Sequence, residues 1–237
     1  MQMAELLERV HSGVEGLDEM LQGGFPKGHT IVVMGSFGTG KTTFGLQFLL
    51  QGMKEGGKGI YISLEEDQQS IMEDARSHGW DLKPMIDGKK LEIVKLEPTD
   101  AKSTVARIKS ELPTFIKEFG AQRIVFDSVS LLNMMFNDEH EKRATLFSLS
   151  QMIKRAGATC IMTAEVSGDN PLASRDGLVE YVADGVIALR YREREDKGEL
   201  QLSLRVVKMR RTEHSRKIRP YEISGSGIVV HSSADML

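Results

Sequence analysis

Several features that define other classes of protein are scarce in this sequence. Cys160 is the only cysteine among 237 residues, so the chain cannot form a disulfide within itself. Aromatic residues make up 6% of the chain, which is too few to predict a rich platform for stacking nucleic-acid bases. The formal net charge is −3, so no overall positive field attracts nucleic acid or a membrane surface. What remains is the composition of an ordinary soluble protein.

Long apolar segments are also absent. No stretch approaches the roughly 20 apolar residues that a membrane-spanning helix requires. Residues 1–9 contain Glu5 and Glu8 and lack the apolar core of a signal peptide. The six histidines are scattered without the spacing of a metal site, so the sequence predicts no structural zinc. We therefore expect a cytoplasmic protein without membrane contact.

Apolar runs alternate with helical patterns over most of the chain. The predicted strands cover 29–34, 59–64, 91–96, 123–126 and 158–164. The predicted helices cover 14–21, 42–54, 67–78, 103–119 and 139–155, with a kink or break at Pro113 in the fourth. This alternation is typical of right-handed βαβ units and predicts an α/β fold, in which helices flank a mostly parallel central sheet.

The pattern changes after Gly185. Short apolar segments at 186–192, 200–207, 218–223 and 228–231 are separated by turn residues. The turns centre on Asp196-Lys197-Gly198 and on Ser224-Gly225-Ser226-Gly227. We expect an antiparallel β-meander attached to the parallel sheet, within one domain that spans residues 1–237.

The first predicted strand leads into a phosphate-binding motif. Residues 35–42 fit the pattern G-x-x-x-x-G-K-[ST] of a P-loop. Glycine allows backbone N–H groups to turn inward around an anion, and the start of the following helix adds its positive end. Lys41 can reach the β- and γ-phosphates, and the Thr42 hydroxyl can bind Mg²⁺. The residues predicted to bind the nucleotide are Gly35, Ser36, Phe37, Gly38, Thr39, Gly40, Lys41, Thr42 and Thr43.

Acidic residues end two other predicted strands. Asp127 follows the apolar run at 124–126 and is typical of a Walker B strand, in which the carboxylate holds Mg²⁺. Glu65 and Glu66 follow the strand at 59–64, which we expect to lie beside the P-loop strand. Repulsion between adjacent carboxylates raises the pKa of one of them, as a general base requires. The sequence does not distinguish Glu65 from Glu66 in this role.

A third charged segment lies near the end of the predicted meander. Lys208 and Arg210 are two positions apart, so in a strand both side chains point to the same face. This face can present two cations to a γ-phosphate.

Together these segments resemble a known family. The glycine-rich entry segment from Ser12 to Gly28 is similar to that of RecA-type ATPases. The Glu65-Glu66 pair, the Arg76-Ser77-His78-Gly79-Trp80 segment and the Lys208-Met209-Arg210 strand resemble the KaiC family of clock ATPases and their single-domain relatives. The similarity extends from about Ser12 to Val230. It implies a RecA-like P-loop fold with Mg²⁺ and ATP bound.

The resemblance also implies how the site is completed. Members of this family form hexameric rings with ATP between neighbouring subunits. By this resemblance, Glu65-Glu66 contain the catalytic glutamate, and Lys208, Arg210 and His214 reach the γ-phosphate of the next subunit's ATP. The chain has one P-loop domain instead of two, and Glu180 and Tyr181 align with the clock protein's phosphorylated Ser-Thr pair. A slow ATPase with a regulatory or signalling role, acting as a switch with an unidentified protein partner, is therefore expected rather than a timekeeper.

Two alternatives remain at this stage. A RecA-type recombination or repair ATPase would use the locally basic segment from Arg205 to Arg219 to contact nucleic acid. A nucleotide-stabilised scaffold would bind ATP and hardly hydrolyse it. Measuring ATP turnover with and without single-stranded DNA distinguishes the three functions.

Overall fold

The computed structural model describes residues 7–97, 101–136, 138–167, 173–175, 177–194 and 199–234. The strands are β1 (Arg9–Val10), β2 (Phe25–Pro26), β3 (Thr30–Gly35), β4 (Gly59–Ser63), β5 (Leu91–Lys95), β6 (Arg123–Asp127), β7 (Thr159–Ala164), β8 (Gly185–Arg194), β9 (Glu199–Met209), β10 (Ile218–Ser224) and β11 (Gly227–Val230). The helices are α1 (Leu17–Met20), α2 (Lys41–Lys54), α3 (Gln68–Ser77), α4 (Lys83–Asp87), α5 (Ala101–Ser110), α6 (Leu112–Phe119), α7 (Val129–Met134), α8 (Glu139–Arg155) and α9 (Val179–Val182).

Nine strands form one sheet in the order β11-β10-β9-β8-β3-β7-β6-β4-β5. The six strands from β8 to β5 are mutually parallel, and β9, β10 and β11 continue the sheet in antiparallel pairs. This confirms the predicted α/β fold with a C-terminal antiparallel extension. One detail differs, because β8 was predicted within the meander yet pairs in parallel with β3. Strand β8 therefore joins the two parts of the sheet.

The predicted neighbour of the P-loop strand was wrong. Strand β3 lies between β7 and β8, and both β7 and β6 separate it from β4. Strands that follow each other in sequence need not be adjacent, since a crossover helix is long enough to pass over other strands. Glu65 and Glu66 thus follow a strand that is adjacent to the Asp127 strand, with Ser63 opposite Asp127.

Helices cover both faces of the parallel strands. Residues of α1, α2, α3 and α4 pack on one face, and residues of α5 to α9 pack on the other. The central strands are buried along their whole length; β3, β4 and β7 have no exposed residue. This burial explains why their sequences are nearly continuous apolar runs without alternation.

The helix boundaries follow local signals. The Asp67 side chain accepts a hydrogen bond from Ser70 N and caps α3 as predicted. The predicted helix over 103–119 is broken into α5 and α6, with Pro113 in the first turn of α6. Helix α8 has the predicted bounds, with Asp138 as its cap. The short helices α4, α7 and α9 were not predicted, because four to six residues do not establish a helical period.

The two predicted turns of the meander have different outcomes. Ser224 pairs with Gly227 across a two-residue turn, as expected. The predicted turn at Asp196-Lys197-Gly198 lies outside the described residues. Within the described ranges, no helix has the length and apolar character needed to cross a membrane.

Candidate active site

The P-loop connects the carboxyl end of β3 to the first residue of α2. Strand β3 ends at Gly35 and α2 begins at Lys41. Gly38 and Gly40 have φ angles of +71° and +85°, a region in which a side chain is strained. A Cβ atom at Gly38 would also lie 2.5 Å from the Tyr191 hydroxyl oxygen. The backbone therefore needs glycine here to form an anion-binding turn.

Contacts within and behind the loop hold its shape. The Thr39 hydroxyl donates to Ser36 O at 2.8 Å. The Tyr221 hydroxyl of β10 donates to Thr39 O at 2.7 Å. Phe37 at the tip is 88% exposed and contributes nothing to the core. Tyr221 of the antiparallel strands thus stabilises the loop backbone, while Phe37 at the tip is exposed to solvent.

Lys41 lies within the loop that it would use to bind phosphate. Its Nζ donates to Gly35 O at 3.0 Å and to Ser36 O at 2.9 Å. Burial lowers the pKa of Lys41, and the charges of Asp127, Glu165 and Glu65 act in the opposite direction. Within the described chain, this half-buried cation is hydrogen-bonded to carbonyl oxygens alone, and it is well placed to exchange them for phosphate oxygens.

Three hydroxyl groups converge on the Asp127 carboxylate. Thr42 Oγ1 donates to Asp127 Oδ2 at 2.9 Å, and the Tyr61 hydroxyl donates to the same oxygen at 2.5 Å. Thr163 Oγ1 donates to Asp127 Oδ1. Burial, followed by the charge of Asp127, raises the pKa of Tyr61 well above its usual range, so this hydroxyl stays protonated and donates. The two residues predicted to bind Mg²⁺, Thr42 and Asp127, are therefore in direct contact.

Close packing of α2 on β6 produces this contact. A Cβ atom at Gly45 would lie 2.9 Å from Val125 Cγ1. Glycine at this position therefore allows α2 to lie close to β6, two strands away from the strand that precedes the P-loop. The first turn of α2 thereby meets the carboxyl end of β6, where Asp127 lies.

Glu65 and Glu66 lie at the same edge of the sheet but in different environments. Glu65 is exposed, and its Oε1 accepts a hydrogen bond from Ser128 Oγ at 3.1 Å. Glu66 is partly buried, and within the described chain its Oε2 has no hydrogen-bond partner. Burial, then the charges of Asp74 and Asp127, raises the pKa of Glu66. Repulsion from Glu65 contributes less than the sequence led us to expect, because burial dominates.

A histidine links the P-loop helix to the last hairpin. His78 Nε2 lies 3.3 Å from Thr43 Oγ1, and His78 Nδ1 lies 2.9 Å from Ser224 O. The ring also packs against Trp80, with centroids 4.9 Å apart. Thr43, predicted to bind nucleotide, therefore contacts a side chain from the end of α3.

Lys208 and Arg210 lie at the opposite end of the parallel strands from the P-loop; we call this end the amino edge of the sheet. Lys208 Nζ donates to Glu180 O at 3.0 Å and to Ala183 O at 2.7 Å. Arg210 forms an ion pair with Asp184 at 3.3 Å. Burial, and then the charge of Arg210, lowers the pKa of Lys208. The two cations therefore lie close to each other, with Lys208 in β9 and Arg210 just beyond its end at Met209.

This edge is the amino end of the parallel strands. Asp184 accepts a hydrogen bond from Thr30 N, at the first residue of β3, and pairs with Lys154 at 2.7 Å. Five residue steps of β3 separate Thr30 from Gly35, which corresponds to about 17 Å. Lys208 and Arg210 are thus separated from the P-loop of their own chain by the length of the parallel strands.

The remaining basic residues of this segment differ in exposure in the described structure: Arg211, Arg216 and Lys217 are exposed and Arg219 is not. His214 Nδ1 lies 3.0 Å from Ser215 O, and Ser215 N donates to Met20 O. Arg219 is buried and its guanidinium donates to Ala234 O. The segment is divided among separate contacts, which weakens the case for a nucleic-acid stripe.

Sequence reasoning missed the hydroxyl groups around Asp127. Tyr61 lies in the middle of a buried strand and Thr163 is the penultimate residue of β7. A polar group in a buried apolar run needs a hydrogen-bond partner, so each residue was a signal in itself. Their shared partner was not predictable without the strand order.

Comparisons with known proteins agree with this geometry. Residues 10–235 match the family model described as "ATPase: KaiC". The chain is similar to a solved structure of the KaiC-like protein PH0186 from Pyrococcus horikoshii, with a TM-score of 0.84 and 35% identity over 95% of this chain and 99% of that one. The RecA-type α/β fold is therefore shared with a protein of known structure.

Two relatives differ in how much of their own length the chain covers. It is 35% identical over 240 residues to the UPF0273 protein PH0284 of Pyrococcus horikoshii, covering 95% of both chains. It is 31% identical over 237 residues to the circadian clock oscillator protein KaiC of Prochlorococcus marinus, covering 97% of this chain and 46% of that protein. The chain thus spans less than half of the clock protein. On the match over residues 10–235, the chain belongs to the KaiC family of ATPases.

Proposed function

We propose that the protein binds Mg-ATP at the P-loop and hydrolyses it slowly, as an oligomeric ring that acts as a regulatory switch. The observation that supports this most directly is the 2.9 Å contact between the Thr42 hydroxyl and the Asp127 carboxylate. A hydroxyl and a carboxylate are the oxygen donors that Mg²⁺ prefers, and here they meet beside a P-loop. The turn at Gly38 and Gly40, which requires glycine, would hold the phosphates next to this pair of oxygen donors.

The chain's own residues supply binding and orientation. The backbone N–H groups of residues 36–43 and the start of α2 would surround the phosphates, and Lys41 would leave Gly35 O and Ser36 O to contact them. Thr42 and Asp127 would hold Mg²⁺, which when bound supplies positive charge that stabilises the transferring phosphoryl group. Tyr61 and Thr163 keep the Asp127 carboxylate oriented.

We assign polarisation of the attacking water to Glu65. Of the two glutamates, Glu65 is the one whose charge acts on the pKa of Lys41. It is exposed to solvent, and Ser128 fixes its position beside Asp127. Glu66 has the raised pKa but faces Asp74 and Asp127. Its proposed role is to maintain the local charge around the metal site.

The position of Lys208 and Arg210 supports a shared site. The length of β3, about 17 Å, separates the amino edge that carries these cations from the P-loop of their own chain, so they are not placed to contact its nucleotide. In a head-to-tail ring, the amino edge of one subunit faces the nucleotide of its neighbour. Lys208, Arg210 and His214 would then contact the neighbour's γ-phosphate, and ATP would stabilise the ring by linkage.

The DNA-binding alternative has weaker support. Lys208, Arg210 and Arg219 are each engaged by groups of their own chain, and the net charge is negative. A repair ATPase would show turnover that rises with single-stranded DNA. A constant turnover upon addition of DNA favours the regulatory ATPase.

The test of this proposal separates binding from hydrolysis. We expect Lys41→Met to abolish or strongly weaken Mg-ATP binding by calorimetry, while Lys54→Met at the other end of α2 does not. Glu65→Gln should keep ATP affinity and lower turnover by about 10²-fold or more, the size typical of a lost general base. Equal ATP affinity in wild type and Lys41→Met would contradict the assignment of the P-loop. A larger loss in Glu66→Gln than in Glu65→Gln would reverse the assignment of the base.

A further inference from the structure

A second surface of the protein combines unpaired cations with exposed aromatic rings. It lies between α8 and the α5–α6 pair, on the face of the sheet that does not hold the P-loop helix. A groove of about 600 Å³ is lined there by residues that include Lys109, Lys117, Phe147, Met152 and Arg155. We refer to it as the Phe147 groove. Among the described residues that line it, none is acidic.

The groove continues along α8 into a second cavity. Phe147 lines both, and the second cavity, of about 370 Å³, adds His140, Arg143 and Tyr181. Phe147 is 56% exposed and Tyr181 is 70% exposed. Large aromatic side chains exposed next to each other on one face are unusual for a soluble domain, and they mark interaction sites when they cluster.

The cations of this surface have no carboxylate partner in the described chain, as is also true of scattered exposed cations such as Lys54, Lys90 and Lys95; here they gather around one groove. Elsewhere, basic residues such as Lys27, Lys154 and Arg123 form ion pairs with carboxylates. Among the described residues, Lys109, Lys117, Arg143 and Arg155 have no ion-pair or hydrogen-bond partner. All four are exposed. A group of positive charges around one groove in a chain of net negative charge leaves a local field that an acidic ligand would neutralise.

Helix dipoles account for only part of this arrangement. Lys109, Lys117 and Arg155 lie in the last turns of α5, α6 and α8, where a cation is favourable. Arg143 is the fifth residue of α8, outside the last turn where the helix dipole favours a cation, and so has no such explanation. Neither does the helix dipole explain why the cations surround an apolar floor.

The floor of the groove indicates the class of ligand. Pro113, Met152, Ala156 and Phe147 provide apolar contact between two helical walls, and the cations lie around it. A groove of this kind suits an amphipathic helix whose apolar face packs on the floor and whose acidic face meets the cations. A nucleic acid would instead place its charged backbone and its bases over an apolar floor that offers few hydrogen bonds.

We propose that the Phe147 groove docks an acidic amphipathic helix of a protein partner. The proposal does not depend on ATP hydrolysis. It gives the regulatory switch a surface for its partner on the sheet face opposite the P-loop helix. Only the second cavity, at Tyr181 and Val182, adjoins Lys208 of the amino edge.

The test uses a labelled peptide probe and fluorescence anisotropy. The probe is a helical peptide of about 18 residues, or about 27 Å, with leucines on one face and glutamates on the other. Its controls are a scrambled peptide of the same composition and a twin with lysine in place of every glutamate. An oligothymidylate of about 20 nucleotides tests the competing polyanion. We expect saturable binding of the acidic peptide, at least about tenfold tighter than binding of either control peptide.

Variants locate the binding site. Combined Lys109→Glu, Lys117→Glu and Arg155→Glu should weaken peptide binding by at least about tenfold, and Phe147→Ser should weaken it similarly. The matched control reverses three exposed lysines elsewhere, Lys54→Glu, Lys90→Glu and Lys95→Glu, and should change binding less than about twofold. These side chains are all on the surface, so circular dichroism should show the same fold in every variant.

Three outcomes would overturn the proposal. One is the absence of saturable binding. Another is an equal loss of binding in the control triple variant or equal binding of the scrambled peptide, each of which would mean nonspecific charge attraction. The third is tighter binding of the oligothymidylate with dependence on the same residues, which would make the groove a nucleic-acid site.

Discussion

Replacement of Arg210 by methionine distinguishes a site completed by a neighbouring subunit from a site contained in one chain. In one chain, the guanidinium lies at the amino edge of the sheet, and the length of β3 separates that edge from the P-loop by about 17 Å. At that distance two unit charges interact by about 0.2 kcal/mol in water and about 1 kcal/mol at an effective dielectric constant of 20, before salt screening. The larger value corresponds to about a fivefold change in rate.

A cation contributed directly to the γ-phosphate by a neighbour has a much larger effect, about 10³–10⁵ in rate in other phosphoryl-transfer systems. We therefore expect Arg210→Met to lower turnover by more than about 10²-fold while ATP still binds to the intact P-loop. The fold should survive, because the Arg210–Asp184 pair is partly exposed and worth about 0–1 kcal/mol. Asp184 also keeps its contacts with Lys154 and Thr30 N.

The assay is steady-state phosphate release at saturating Mg-ATP, together with calorimetric ATP affinity and a thermal melt. Arg211→Met is the matched control, since Arg211 is the adjacent residue and is exposed. We expect its turnover to remain within about fivefold of wild type. A fall of fivefold or less in Arg210→Met, with the oligomer intact, would refute a direct role of Arg210 in a neighbour's site.

Three further predictions concern single buried or partly buried groups. Glu66 has a raised pKa in the folded protein, so its ionisation destabilises the folded state as pH rises. We therefore expect Glu66→Gln to melt at a higher temperature than wild type at pH 8. The difference should vanish near pH 4, where Glu66 is largely neutral in both the folded and the unfolded protein. Tyr61→Phe removes the hydrogen bond to the Asp127 carboxylate and should lower the free energy of unfolding in urea by about 1.5–3 kcal/mol without Mg²⁺; an unchanged midpoint would show that the bond adds nothing. Arg123 is buried, pairs with Glu55 at 2.5 Å and donates to two carbonyl oxygens, so Arg123→Leu should cost about 3–5 kcal/mol in the same assay; a loss below 1 kcal/mol would contradict this.

Much of the fold was predictable because its signals are local. The P-loop, the Asp67 cap and the helix Glu139–Arg155 follow from turn residues, capping residues and helical periodicity. The break near Pro113 follows from the missing N–H of proline. These features depend on a few neighbouring residues, and the structure has them where the sequence placed them.

The order of the strands was not predictable in the same way. Buried parallel strands all read as apolar runs, so their sequences do not state which strand lies next to which. For this reason β4 was assigned to the wrong neighbour and β8 to the wrong part of the sheet. The hydroxyl groups of Tyr61 and Thr163 around Asp127 depend on the same order. The candidate site was therefore found by its motifs, and its supporting contacts required the fold.

The environments of the two glutamates show a related limit. The sequence indicates that one carboxyl group of the pair has a raised pKa, but not which one. Burial decides this, since it raises the pKa of Glu66 while Glu65 remains exposed beside Ser128. Burial depends on the packing of α3 and β4 and is not visible in the two letters of the sequence.

The most direct test of the shared site mixes two variants that are inactive by themselves. Lys41→Met has an intact Arg210 and a damaged P-loop, whereas Arg210→Met has the reverse. The two proteins are unfolded and refolded together, and resonance energy transfer between labelled subunits confirms that they assemble in common rings. Random mixing pairs an intact P-loop with an intact arginine at about one quarter of the head-to-tail interfaces. We expect about that fraction of wild-type ATP turnover to return, and none to return when Arg210→Met is mixed with the Lys41→Met/Arg210→Met double variant. A co-assembled mixture without activity, or full activity in a strict monomer, would contradict the account.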